Sequence, residues 1–381
     1  MVNNYKNKNF VIGVIVLVAL MSLFFYNTLK KSYPNAVQGV VLSYSHGKEN
    51  NNKSYKYNYV DVKITSGSHK DKKISVQNFS SGHIKSEDVN TGNFAEPGDE
   101  VLLNLKEDSK GNIESAYIFE IVRYKHIYKL VSLFVIILLL IGGLKGLKSI
   151  VALIFTGVIV IKVMIPLILI GVDPIKLSIA ICILVTIVNL ILISGKNKKT
   201  FAAIIGTLGG LFISGAIAIF SNSVIKVKGL TDEEIKFLTY VSRNPNFNFG
   251  GLLFAGIIMG ALGAVMDVSI SIASSMKEIK EANPEIGTRE LIKSGMTIGQ
   301  DIIGSMSNTL ILAYVGGAMY LMIMISSNGM DFCRTINQDI IASEILRALA
   351  GSIGLIFSVP LTAIVYALFE KFNIDIESFV K

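Results

Sequence analysis

The chain has 381 residues, of which 51% are hydrophobic and only 17% charged, and its mean hydropathy is +0.55. Soluble domains average about 25% charged residues, so the composition argues against a wholly soluble protein. The formal net charge of +8 resides in short scattered basic loops with no interleaved aromatic stripe. It therefore reads as loops that set membrane topology, and no nucleic-acid partner is expected.

In chain order, the first apolar run is Phe10 to Tyr26, preceded by Lys6 and Lys8. No small-residue cleavage site follows it, so residues 1–30 are read as an uncleaved signal-anchor helix with a cytoplasmic N-terminus. Residues 36–124 then alternate apolar and polar side chains in AVQGVVLSYS, YKYNYVDVKIT, KKISVQNF, DEVLLNLK and SAYIFEIVRY. This is the period of half-buried strands, punctuated by turn clusters such as HGKENNNKS, SGSHKD, EPGD and DSKGN. The last two strands read as a hairpin closed by Ser109 to Asn112. About five short strands predict a small all-β domain, an OB-like barrel, on the extracytoplasmic side.

Residues 128–371 carry apolar runs near 128–144, 149–171, 174–194, 201–221, 249–276, 301–326 and 348–369. A crossing helix needs about 20 apolar residues, so the predicted fold is an α-helical polytopic membrane protein of about eight transmembrane helices, anchor included. The segment 149–171 is interrupted by Lys162 and Pro166. Lys145, Lys148, Lys196, Lys198, Lys199, Lys277, Lys280, Arg289 and Lys293 fall on one side in this arrangement, which places both termini in the cytoplasm of a bacterial plasma membrane. TDEEIKFLTYV predicts a short external helix capped by Thr231, and NPEIGTRELIKSGMTIGQ a surface helix beginning at Asn283 and Pro284.

The chemistry-bearing pattern lies in two successive spans. Asp267, Ser271 and Ser274 occur at i, i+4 and i+7, and Asp301, Ser305 and Asn308 repeat that spacing. Each set shares one helix face. A carboxylate at the centre of a bilayer costs at least ~2.5–3.5 kcal/mol on insertion scales. It therefore needs a partner, a cation or a proton, and hydroxyl and amide oxygens beside it are hard ligands for a small cation. The bland alternative is a capping acid at the interface with packing serines. Lys162 is a candidate countercharge, or a snorkelling side chain. Glycines at 206, 209, 210, 215, 250, 251, 256, 260 and 263 predict close helix packing.

Other chemistries fit less well. SGKNKKT lacks the first glycine of a phosphate loop, since Leu190 stands there, and the four histidines lack metal-ligand spacing. VMDVS and GQDII lack the Gly-x-Gly-Asp setting of intramembrane aspartyl proteases. The expectation is a non-enzymatic protein without a cofactor, with metal binding undetermined.

GLKGLKSIVALIFTGVIVI, ISGKNKKTFAAIIGTLGGL, GALGAVMDVSISIASSMKEI and SGMTIGQDIIGSMSNTLILAYVGG, together with KITSGSHKDKKISVQN and EPGDEVLLNL, resemble the YibE/F-like family of bacterial multi-pass membrane proteins. The resemblance implies a polytopic membrane protein with an extracytoplasmic β-domain and brings no catalytic or binding residues with it. The functional expectation from the residues is a transporter or channel-like protein with a cation or proton site at the two acids. The alternative is an accessory or assembly protein whose β-domain binds an extracytoplasmic protein partner. Beyond the lipid bilayer and a small cation or proton, oligomeric partners stay open.

Overall fold

The computed structural model describes residues 36–45, 59–77, 95–109, 111–242, 247–327, 329 and 331–373. The signal-anchor segment lies outside the described residues. The chain divides into two compact units at Ile141–Gly142.

The first unit contains β1 (Ala36–Ser45), β2 (Tyr59–Ile64), β3 (Lys73–Gln77), β4 (Glu100–Glu107) and β5 (Ile113–Ile121). The strand order is β1-β2-β3-β5-β4, a sheet curled into a closed barrel. All neighbours are antiparallel except β3 and β5, which meet in parallel through the pair Gln77–Tyr117. The alternation seen in the sequence dictates which faces turn inward: Val60, Val62 and Ile64 of β2 join Val41, Val76, Val101, Leu103 and Ile118 in one core. The β4–β5 hairpin closes as expected, with the Asp108 amide donating to the Asn112 carbonyl at 2.8 Å. His69, 7% exposed, is held from both ring nitrogens, with Nε2 2.8 Å from Glu107 and Nδ1 3.1 Å from the Lys72 ammonium.

Asp71 occupies the left-handed region at φ 69° in the turn before β3, a conformation that Asp tolerates better than most residues. Its carboxylate lies 2.8 Å from the Lys63 ammonium. The hydrogen bond from Lys63, reinforced by its charge, holds the Asp71 carboxyl below the usual carboxylate value. A depressed native pKa stabilises the fold above the unfolded-state value of about 3.9 and loses that contribution as pH falls through the native value. Both groups are exposed, so the effect on stability is small. An NMR titration is expected to place Asp71 below ordinary aspartates and to bring it back up in Lys63→Met. An unchanged midpoint in that variant would remove the ion pair as the cause.

The helices are α1 (Tyr124–Val158), a π-helical segment (Ile159–Met164), α2 (Ile165–Leu169), α3 (Pro174–Ser194), α4 (Lys198–Ile225), α5 (Asp232–Ser242), α6 (Phe249–Ala282), α7 (Thr288–Gly317), α8 (Met319–Ser327), α9 (Phe332–Ile336) and α10 (Asp339–Lys371). Among the described residues, five helical runs are long and apolar enough to cross a membrane: Tyr124–Leu169, Pro174–Ser194, Lys198–Ile225, Phe249–Ala282 and Asp339–Lys371. The count is below the expected eight for three physical reasons. The anchor is outside the described residues. The stretches 128–144 and 149–171 are counted in the single run Tyr124–Leu169, although Gly143, at φ 55° and ψ −133°, is non-helical and separates two helices there, as the two expected stretches require. The stretch 301–326 is divided at Ala318 between α7 and α8, and the polar residues of α7 dilute its hydropathy.

The interruption expected at Lys162 and Pro166 takes a defined form. Proline cannot donate to the carbonyl one turn back. The chain widens into a π turn just before it, with the Ile165 amide donating to the Val160 carbonyl. Helix starts are set by local caps: Asp173 Oδ1 accepts from the Ile175 and Lys176 amides, Asn197 Oδ1 from Thr200, and Asn248 Oδ1 from Gly251. Thr231 caps α5 reciprocally with Glu234, as expected. The expectation for Asn283 requires correction. Its amide donates to the Ile279 carbonyl and ends α6, and the next helix starts only at Thr288, after Gly287.

Within this unit α10 is central and packs against α4, α6 and α7, while α3 lies against α6. The core includes Ala203, Leu211, Phe254, Ile257, Val265, Ile272, Leu355, Val359 and Tyr366. Glycine allows the closest approaches. A Cβ on Gly206 would fall 1.8 Å from Thr362 Oγ1, and one on Gly299 would fall 2.1 Å from Val359 Cγ1.

Candidate functional site: a polar ladder on two antiparallel helices

The two ladders fall on α6 and α7, which are packed against each other. Two close contacts set their register. The Gly295 Cα faces Met276, where a Cβ would meet the sulfur at 2.5 Å, and the Gly260 Cα faces Tyr314, where a Cβ would meet the hydroxyl at 2.7 Å. The helices therefore run antiparallel. Interpolating between these contacts puts Asp267 level with Ser305 and Asp301 level with Ser271. The acids are staggered by about one turn, ~6 Å of helix rise, and each stands level with a hydroxyl of the opposite helix.

On α6 the residues Gly256, Gly260, Gly263, Asp267 and Ser271 are exposed while their neighbours Val265, Met266, Val268 and Ser269 are buried. On α7 the residues Asp301, Gly304, Ser305 and Asn308 are exposed. The i, i+4, i+7 spacing thus places the acids on outward faces, not in the packed core. Ser274 is half-buried. Among the described residues neither carboxylate has a hydrogen bond or ion pair, whereas the Ser305 hydroxyl donates to the Ile302 carbonyl. Lys162 is exposed in the π segment and has no ion pair among the described residues. The candidate countercharge is therefore not in contact with either acid.

Two polar features lie away from the ladders, and the second of them escaped the sequence reading. Asn189 is buried on α3 and donates to Thr156 Oγ1 at 2.9 Å, tying α3 to α1. Glu344 and Arg347 on α10 form an ion pair with Nη1 2.6 Å from Oε1, each about one-quarter exposed. The signal was the Glu-x-x-Arg spacing in ASEILRALAG, which lies just before the hydropathy-defined span edge at 348. Among the described residues no three His, Cys, Asp or Glu side chains converge as a metal-ligand set.

Long apolar helices around a shared core, and separately a small curled β-sheet with a core of its own, fit a membrane protein of two compact units. The family signature of the YibE/F-like proteins covers residues 130–371, from the apolar part of α1 to the end of α10. The chain belongs to the YibE/F-like family. No curated protein and no solved structure matches it.

Proposed function

We propose that this protein is a transporter or channel-like conduit, not an enzyme, for a small cation or proton, with Asp267 and Asp301 as its charged groups. One observation carries the reading. Two acids, each level with a hydroxyl of the opposite helix, occupy outward faces of adjacent helices and meet no hydrogen-bond or ion-pair partner among the described residues. A carboxylate left facing hydrocarbon would carry its full insertion cost, whereas one facing a hydrated path or a bound cation would not. Ser271, Ser274, Ser305 and Asn308 supply the neutral oxygens that such a path needs. The basic loops support an arrangement in a bacterial plasma membrane with cytoplasmic termini, and the strand order with its parallel β3–β5 closure supports an OB-like barrel outside the cytoplasm.

The test is flux in reconstituted vesicles, read with a pH dye and, separately, a sodium-sensitive dye. Asp267→Asn and Asp301→Asn are each expected to reduce flux toward the protein-free background. Wild-type flux that survives in both variants would sink the reading. A second reading, a membrane-anchored accessory protein acting through its barrel, is favoured by the barrel's separate core. It predicts that both Asp variants retain full function.

A further inference from the structure

The Glu344–Arg347 pair lies on a helix of membrane-crossing length, where two charges have been taken largely out of water. Apolar side chains of similar volume would serve packing as well or better at such a site. The surroundings of the pair indicate another use. The Arg347 guanidinium reaches α6, with Nη2 3.8 Å from where a Cβ on Gly256 would stand, and its Nε is enclosed without an acceptor among the described residues.

From α7, Tyr314 directs its hydroxyl to the same place. The oxygen lies 2.7 Å from the Cβ position of Gly260 on α6 and 3.7 Å from that of Gly351 on α10. It is enclosed, meets no partner among the described residues, and lies near both Glu344 and Arg347. Gly260 thus makes room for a hydroxyl that forms no hydrogen bond among the described residues. A phenylalanine would fit the same space without the desolvation cost of an unpaired hydroxyl. From Gly260 the exposed face of α6 continues through Gly263 to Asp267, about 10 Å further along the helix.

We propose that Tyr314, Arg347 and Glu344 form a second polar station on the path served by Asp267 and Asp301, where a proton or small cation is held by the Tyr314 hydroxyl and the Glu344 carboxylate. Arg347 positions that carboxylate and offsets its charge when the site is empty. The inference rests on the conduit reading and adds three residues to it, on α7 and α10, at the end of the ladder away from Asp301. Gly260 lets α6 approach the Tyr314 hydroxyl closely.

The discriminating variant is Tyr314→Phe in the full-length protein, reconstituted in vesicles beside wild type and Asp267→Asn. Proton and sodium flux are measured together with the thermal midpoint. Flux is expected to fall about tenfold, the loss that follows from removing one hydrogen bond to a charged species. The midpoint is expected to hold or rise, because the hydroxyl has no partner among the described residues. Gly260→Ala, which places a methyl against that hydroxyl, is expected to lower flux in the same assay.

If wild-type flux falls in Asp267→Asn but is unchanged in Tyr314→Phe, the station is overturned and the conduit stands. A fall in flux that accompanies a fall in the midpoint also overturns it, since the hydroxyl then serves the fold. Wild-type flux no greater than that of protein-free vesicles overturns both readings. The two dyes separate the cargo: a loss confined to the pH dye assigns the station to protons, and a loss confined to the sodium dye assigns it to the metal cation.

Discussion

Alanine at Gly354 is expected to lower the thermal midpoint of the detergent-solubilised protein by the equivalent of about 1–3 kcal/mol, the usual cost of overpacking a close contact. Gly354 of α10 and Gly210 of α4 face each other with nothing between them. A Cβ on Gly354 would lie 2.7 Å from the Gly210 carbonyl oxygen and 2.7 Å from Ser214 Cβ, and one on Gly210 would lie 2.6 Å from the Gly354 carbonyl oxygen. A long side chain could rotate out of the way, but a helix backbone cannot, so α4 and α10 would have to separate. Helices in lipid associate through close packing with little hydrophobic driving force between them. Lost contact along this interface therefore goes uncompensated. Gly210→Ala should behave alike, and the double variant should cost less than the sum, since the first methyl already forces the helices apart. Gly263→Ala is the control: nothing lies within 4 Å of its Cβ position, and alanine is the better helix former. Midpoints measured by size-exclusion chromatography after heating decide the matter. Equal midpoints for wild type and Gly354→Ala would show that this glycine contact does not hold the bundle.

The features legible in the sequence are those with a local period. Strand alternation located β1 to β5, and the Asp-Ser-Lys-Gly-Asn run marked the β4–β5 hairpin, because inward and outward side chains repeat every two residues. The glycine-rich stretch of α4 announced close packing, whereas on α6 Gly256 and Gly263 are exposed and nothing lies within 4 Å of the Gly263 Cβ position; the period of the acid ladders placed each acid on a shared helix face. The direction of that face was hidden. Period 3.6 says which residues travel together, but whether Asp267 points into the core or away from it depends on where α3, α4 and α10 pack. The β3–β5 closure was hidden for the same reason, since residues 77 and 117 are brought together only by the completed barrel.

Two further misses have local causes. Asn283 is as good at a helix end as at a helix start, and the pair Asn-Pro pointed to a start. In the structure Gly287 separates α6 from α7, and Asn283 closes the first. Glu344 and Arg347 were lost because an average of hydropathy moves a span edge inward past any ion pair. The pair neutralises itself across one helical turn, so α10 continues through it. The Tyr314 contact with Gly260 has no sequence signature, as it needs the antiparallel register of α6 and α7.

Leu103→Ala is expected to destabilise the barrel by about 2–5 kcal/mol, the range for removing a large aliphatic side chain from a packed core. Leu103 is fully buried on β4, paired across the sheet with Val37 on one side and Ile118 on the other. Its Cδ1 lies 3.0 Å from the Cβ position of Gly39, so it already fills the space that glycine leaves in β1. Small domains have only about 5–15 kcal/mol of stability in total. The protected amides of β1, β4 and β5 should therefore exchange with deuterium roughly thirtyfold faster or more, at a factor of ten for each ~1.4 kcal/mol. Amides of α4, α6 and α10 should keep wild-type rates, because the barrel core and the helical core share no residues. Equal acceleration in α6 would mean that the two units unfold together. The same variant separates the two functional readings. A conduit built from α6, α7 and α10 keeps its flux when the barrel is loosened, whereas a protein that acts by holding a partner on that barrel loses its function while both aspartates remain in place.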